Sequence, residues 1–67
     1  MENKWNNERP IIFTITPNVA GRCEVHTVDK RAIEPRYFCN SNEVIDCMAV
    51  LTERYNDKGY SVLFEVD

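Results

Sequence analysis

The chain has 67 residues, a net charge of −3 and three cysteines. A domain of this size buries only a modest core, so it needs a cross-link, a metal or a partner to be stable. The odd number of cysteines and an N-terminus without an apolar run argue against a disulfide-bonded secreted protein, and they predict a reduced, cytoplasmic one. No apolar stretch approaches the roughly 20 residues of a membrane span, so we expect no contact with a membrane.

The charge pattern bears on nucleic-acid binding. A net acidic chain is a poor candidate, because such binding depends on a basic face that neutralises several phosphates. Residues 22–36 are the exception, since their cations outnumber their acids by one: Arg22, Lys30, Arg31 and Arg36 against Glu24, Asp29 and Glu34. With Tyr37 as a stacking side chain, this patch is the basis of an alternative hypothesis, a nucleic-acid-binding module.

The N-terminal segment differs from the rest of the chain. Residues 1–9 are polar apart from Met1 and Trp5 and show no period, which predicts a flexible arm. Residues 10–67 are expected to form a single domain. Trp5 is an aromatic candidate for contact with a partner.

A hairpin is predicted next. Residues 11–16 are rich in β-branched and aromatic residues and place Ile11, Phe13 and Ile15 on one face of a first strand. Residues 17–21 contain turn-forming residues and predict a loop. Residues 22–28 then return as a second, antiparallel strand.

A third strand and a helix follow. Residues 33–39 predict a strand that Pro35 restricts to the sheet edge. Asn40 is the expected N-cap of a helix over residues 41–58, with Glu43 completing a capping box and Cys39 packing on Val44. Apolar residues at spacings of three and four form the buried stripe of this helix: Val44, Cys47, Met48, Leu51 and Tyr55.

Gly59 suits the left-handed position after the helix, and Tyr60 is expected to fold back on Tyr55 in a Schellman motif. Residues 60–66 alternate as the last strand. The predicted fold is therefore α+β, in the order β-β-(β)-α-β. A right-handed crossover places the last strand beside and parallel to the first, giving a small, mainly antiparallel sheet of order 3-2-1-4.

One amphipathic helix covers one face of such a sheet and leaves the other face open. The open face is expected to carry three groups of residues, one from each confident strand: Ile12, Thr14 and Thr16; Glu24, His26 and Val28; Ser61, Leu63 and Glu65. Ordinary solvation explains such a face as well as binding does, because scattered apolar residues are normal on a protein surface.

This order of elements, with a capped helix after a short edge strand, resembles the small truncated ribonuclease-H-like domains of HicB-type antitoxins. The resemblance implies protein binding and neutralisation of a partner. Those antitoxins commonly add a DNA-binding segment, for which we find no counterpart in these residues.

Several residues could carry chemistry. Cys23-x-x-His26 with Cys39 and Cys47 would supply four zinc ligands, so a zinc-stabilised domain is a further alternative. Residues three apart in a strand point to opposite faces, however, so we predict no metal site. His26 beside Glu24 could form a weak pH-sensitive pair. The chain has no glycine-rich phosphate loop and no paired nucleophile and base, so we expect no enzyme activity, no cofactor and no small-molecule substrate.

The leading hypothesis is a non-enzymatic interaction or regulatory module. It would bind a protein partner or a second copy of itself through the open sheet face or the last strand. The residues expected to make contact are Ile12, Thr14, His26, Val28 and Leu63, with Tyr37 and Trp5 as aromatic anchors. Tyr37 and Phe38 could instead close the core at the sheet edge.

Overall fold

The computed structural model describes residues 9–18 and 20–67. Four strands and one helix follow one another: β1 (Ile11–Pro17), β2 (Arg22–His26), β3 (Arg36–Asn40), α1 (Val44–Asp57) and β4 (Val62–Val66). The strands form one sheet in the order β3-β2-β1-β4. The predicted α+β fold and the strand order 3-2-1-4 are confirmed. Trp5 and the other residues of the predicted arm up to residue 8 lie outside the described residues.

The register places the core-forming residues of all four strands on one face of the sheet. β1 pairs antiparallel with β2, where Ile15 lies opposite Val25, and β2 pairs antiparallel with β3, where Val25 lies opposite Tyr37. β1 and β4 are parallel, and Phe13 lies beside Phe64. Because α1 packs on this face, the core lies between the helix and the sheet.

The core is small and centred on aromatic rings. The ring of Phe13 lies 5.5 Å from Tyr55, 5.7 Å from Phe64 and 6.2 Å from Tyr37, measured between centroids. Such offset and edge-on contacts add to the energy of area burial. Seven buried apolar residues make up the centre of the core: Ile11, Phe13, Ile15, Cys23, Val25, Leu51 and Tyr55.

Several strand boundaries differ from the prediction, and hydrogen bonds outside the sheet explain two of them. The second strand ends at His26, not at Val28: the Thr27 hydroxyl accepts a hydrogen bond from the Asp29 N–H at 3.1 Å and starts a turn. Val28 lies beyond the strand and is 98% exposed. The third strand begins at Arg36, since the Ile33 N–H is bonded to the Tyr55 hydroxyl at 2.8 Å.

The start of the helix differs from the prediction, whereas its end agrees with it. At the start, a 3-10 turn (Ser41–Glu43) precedes α1, and no side chain caps it. The predicted capping box is wrong: the Asn40 side-chain NH2 group donates to the Glu43 carboxylate at 3.3 Å, and neither side chain caps a backbone N–H at the helix start. At the other end the Schellman motif is formed, with Tyr60 N–H bonded to the Tyr55 carbonyl at 3.0 Å and Gly59 at φ +95°. β4 begins after it, at Val62.

Candidate interaction site

The open face of the sheet carries an apolar corner next to β4. Ile12 and Leu63 are neighbours in the parallel register, and they are 42% and 52% exposed. Both were predicted to lie on this face. The corner is continuous with the outer edge of the sheet because Leu63 belongs to the outermost strand.

The middle of the open face is polar. Thr14 lies between His26 and Glu65 in the register, and Thr16 lies opposite Glu24. The His26 Nε2 atom is 3.2 Å from the Thr16 hydroxyl. The Glu24 carboxylate forms a salt bridge with Arg36, whose Nε atom lies 2.9 Å from Glu24 Oε2. The sequence had suggested His26 as the partner of Glu24. Thr14 and His26 are therefore part of a polar belt that interrupts any continuous apolar patch.

A second apolar spot lies on the far side of this belt. Phe38 is opposite Glu24 in the register and is more than half exposed on the open face. The alternative in which Phe38 closes the core is therefore wrong. The position of Phe38 could have been predicted from the alternation of side chains in a strand. Because Tyr37 and Cys39 face the helix, Phe38 between them faces away from it.

Tyr37 lies on the helix side of the edge strand. Its ring is at an edge-on angle to Phe13, and its hydroxyl oxygen is 3.0 Å from that of Tyr55. Burial, followed by the neighbouring Tyr55 hydroxyl, raises the pKa of Tyr37 to about 12. Tyr37 therefore packs against the core, which was the alternative to its predicted role as an aromatic anchor for a partner.

The outer edge of β4 presents unused backbone groups. The Ile11 N–H donates to the Ser61 carbonyl and the Asp67 N–H to the Ile15 carbonyl, both at 2.9 Å. In a parallel pair the inward-facing residues alternate, so Ser61, Leu63, Glu65 and Asp67 face β1. The N–H and C=O groups of Val62, Phe64 and Val66 therefore point away from the sheet.

The side chains along this edge are mostly apolar. Val66 is 76% exposed on the helix side, and Leu63 is exposed on the open side. Glu65 is the one charged residue within β4. The opposite edge, β3, begins with Arg36 directly after Pro35, and charge and proline are the usual protection of a strand edge. β4 is accordingly the less protected of the two edges.

The four cations of the predicted nucleic-acid patch do not form one cluster. Arg22 starts β2 and Arg36 lies opposite His26 at its end, so the two are about 13 Å apart along the strand at about 3.3 Å per residue. Arg31 is paired with Asp29 at 2.6 Å, and its guanidinium lies 5.6 Å from the Tyr60 ring centroid. Lys30 is exposed in the turn beside Arg31. No observation favours the nucleic-acid hypothesis.

The four residues considered as zinc ligands are divided by the sheet. Cys23 is buried on the helix side, whereas His26 lies on the open face, as their spacing predicted. Cys39 and Cys47 share the helix side with Cys23. Within residues 9–18 and 20–67, no group of three histidine, cysteine, aspartate or glutamate residues is arranged to hold a metal ion.

A groove lies between β3 and α1, on the side of the molecule opposite β4. Its volume is about 380 Å³. Cys39 and Cys47 lie in its wall beside two acids and one cation, Glu43, Asp46 and Arg54, and Val50 lies at its rim. The sequence did not predict this groove, because it depends on how the helix sits against the edge strand.

Comparison with known proteins adds no assignment. No protein-family model, curated protein or solved structure matches this chain. The resemblance to antitoxin domains therefore rests only on the order of the strands and the helix. In the part of the chain that the structure describes, no helix has both the length and the apolar character needed to cross a membrane.

Proposed function

We propose that this chain is a small, non-catalytic interaction module that pairs with a second copy of itself through the edge of β4. The proposal rests on the outward-facing backbone groups of Val62, Phe64 and Val66. A strand edge with unused donors and acceptors is a template for a further strand. Since β4 is five residues long and carries one charge, little on this edge opposes pairing.

The strand is complementary to itself in an antiparallel arrangement. A two-fold axis at Phe64 places this residue opposite Phe64 of the second copy and Val62 opposite Val66 of the second copy. These are the residues with outward-facing groups, so each such pair can exchange two backbone hydrogen bonds. On the helix side, Val66 leaves solvent and packs beside the Val62 side chain of the second copy.

The open side of the same edge is compatible with this register. Leu63 lies opposite Glu65 of the second copy, so the two Glu65 carboxylates are not placed directly across from each other. They are diagonal neighbours, and their repulsion weakens as salt screens it. We therefore expect a dimer that tightens when the ionic strength rises.

The small core of the described residues favours a second copy over a monomer. The buried centre of the described residues consists of seven apolar side chains, and a core this small gives little free energy beyond the cost of ordering the chain. Two-fold symmetric dimers are the most common assemblies, because one patch supplies both halves of the interface. Edge pairing would join two four-stranded sheets into one continuous sheet with both helices on the same face.

Sedimentation equilibrium from micromolar to millimolar concentration tests the proposal. For the wild-type chain we expect the mass to rise from 7.9 kDa towards twice that value. In Val66→Pro the outward N–H is lost while the bonds to β1 stay in place, since residue 66 does not donate to β1. This variant should stay at the mass of one chain, with an unchanged circular dichroism spectrum.

A matched pair of lysine variants separates the edge from the rest of the surface. Val66→Lys adds charge to the edge, and Val50→Lys adds the same charge at an exposed valine beside the groove, at the opposite side of the sheet. We expect the first variant to be monomeric and the second to dimerise as the wild type does. A wild-type chain that stays monomeric at millimolar concentration, or equal dimerisation of both variants, would contradict the proposal.

A further inference from the structure

Two of the three thiols line the same solvent-facing groove. Cys39 lies on β3 and Cys47 lies in the first turn of α1, and both line the groove between these elements. The Cys47 thiol is close enough to Cys39 to contribute to raising the pKa of Cys39. Both are partly exposed. The fold thus brings together two sulfur atoms that are eight residues apart in the sequence, at a place that a small molecule can reach.

The third thiol is held differently. Cys23 lies opposite Cys39 in the register between β2 and β3, but it is buried and does not line the groove. Its thiol donates to the Ser41 hydroxyl at 3.6 Å. Cys23 is therefore shielded from an external reagent, whereas Cys39 and Cys47 are not.

We propose that Cys39 and Cys47 are a redox modification site, which closes to an intramolecular disulfide by exchange with a small external disulfide such as oxidised glutathione. In the first step one cysteine thiolate attacks a sulfur atom of glutathione disulfide, forms a mixed disulfide and releases one glutathione thiolate. In the second step the other cysteine attacks the protein sulfur of the mixed disulfide and releases the second glutathione. The two cysteines lose two protons and two electrons, and the external disulfide is reduced to two thiols.

The order in which the two cysteines attack follows from the environment of Cys39. Burial, and then the neighbouring Cys47 thiol, raise the pKa of Cys39 to about 11. The thiolate is the attacking form, so Cys39 is a poor first nucleophile near neutral pH. We therefore assign the first attack to Cys47, and Cys39 resolves the mixed disulfide from the wall of the same groove.

The disulfide would join the edge strand to the start of the helix. It spans the 3-10 turn between them, where no side-chain cap holds the helix N-terminus. Oxidation therefore fixes the helix against β3 and changes the groove. The β4 edge lies on the other side of the sheet, so this proposal does not depend on dimerisation.

Tryptic mapping detects the modification, because the cleavage sites separate Cys23 from Cys39 and Cys47. Cleavage after Arg22, Lys30, Arg36 and Arg54 places Cys23 on peptide 23–30 and both other cysteines on peptide 37–54. The reduced, full-length protein is incubated with oxidised glutathione, quenched with acid, alkylated and digested. We expect peptide 37–54 to be unalkylated and lighter by two hydrogen atoms, while peptide 23–30 is alkylated.

Two variants test the assigned roles. Cys39→Ser should accumulate a stable glutathione adduct on Cys47, because the resolving thiol is gone. Cys23→Ala should still form the disulfide within peptide 37–54. The proposal is overturned if peptides 23–30 and 37–54 become linked, if the wild type keeps both thiols of 37–54 free in excess oxidised glutathione, or if Cys39→Ser gives no adduct.

Discussion

The hydroxyl oxygens of Tyr37 and Tyr55 lie 3.0 Å apart. Tyr55 is fully buried on α1, and Tyr37 belongs to the edge strand β3. The Tyr55 hydroxyl also accepts a hydrogen bond from the Ile33 N–H at 2.8 Å. One buried phenol therefore ties the helix to the edge strand and to the loop that precedes that strand.

Removing this phenol oxygen should cost more than removing its partner. Tyr55→Phe leaves both the Ile33 N–H and the Tyr37 hydroxyl without their bond, and we expect a loss of about 1–3 kcal/mol in unfolding free energy. Tyr37→Phe breaks one bond and leaves the Ile33 contact, so a loss of about 0.5–1.5 kcal/mol is expected. Urea unfolding of the two variants gives the comparison. Equal losses would mean that the Ile33 bond contributes nothing to stability.

The same pair predicts sensitivity to alkaline pH. Burial, followed by the Tyr55 hydroxyl, raises the pKa of Tyr37 from its ordinary value of 10.0 to about 12. The folded chain holds this proton more tightly than the unfolded chain does. The resulting stabilisation is complete below pH 10 and is lost as the pH rises towards 12.

Unfolding free energies measured between about pH 10 and 12 test whether stability falls as predicted. The wild type should lose stability as the pH rises, and Tyr37→Phe should lose less over the same interval. Tyrosinate absorbance of the wild type should include a late titration step that is absent from Tyr37→Phe. A Tyr37→Phe chain that loses stability as steeply as the wild type would contradict the role of this hydroxyl.

Much of the fold could be predicted because its determinants are local. The alternation of Ile11, Phe13 and Ile15 defines a strand with one buried face, and the stripe through Leu51 and Tyr55 defines the helix that covers it. Gly59 marks the helix end because few other residues adopt its backbone conformation. With these elements in order, the preference for right-handed crossovers leaves one arrangement of the last strand.

The rest depends on contacts between residues distant in sequence. The third strand starts late because Tyr55 captures the Ile33 N–H, and no local pattern reveals a partner so far along the chain. The approach of Cys39 to Cys47 likewise depends on how the helix sits on the edge strand. The outward-facing groups of β4 can be identified only once its hydrogen bonds to β1 are known.

The Asp29–Arg31 pair predicts a change in stability at acid pH. The hydrogen bond from the Arg31 side chain lowers the pKa of Asp29 from 3.8 to about 2, against the opposing effect of burial. The folded chain therefore holds this proton less tightly than the unfolded chain. The stabilisation is present above about pH 4 and is lost as the pH falls through 2.

Asp29→Asn tests this pair, because it removes the titrating carboxylate at nearly constant shape. The wild type should lose stability in this acid range through Asp29, and the variant should lose less. Glu24→Gln serves as the control, since its partner Arg36 is mostly exposed and such surface pairs contribute little. If Asp29→Asn and the wild type have the same acid profile, the Arg31 hydrogen bond does not affect the folding equilibrium.

Gly59 gives the last prediction, at the end of the helix. Its backbone has φ +95°, and its N–H donates to the Asn56 carbonyl at 2.9 Å within the Schellman motif. A side chain at this φ is strained, so Gly59→Ala should cost about 1–2 kcal/mol, which corresponds to a fall in melting temperature of about 4–8 °C per kcal/mol for a domain of this size. Gly59→Asn should cost less, because asparagine tolerates the left-handed region better than alanine. Thermal unfolding of the three chains checks the order. An alanine variant as stable as the wild type would show that the motif does not require glycine.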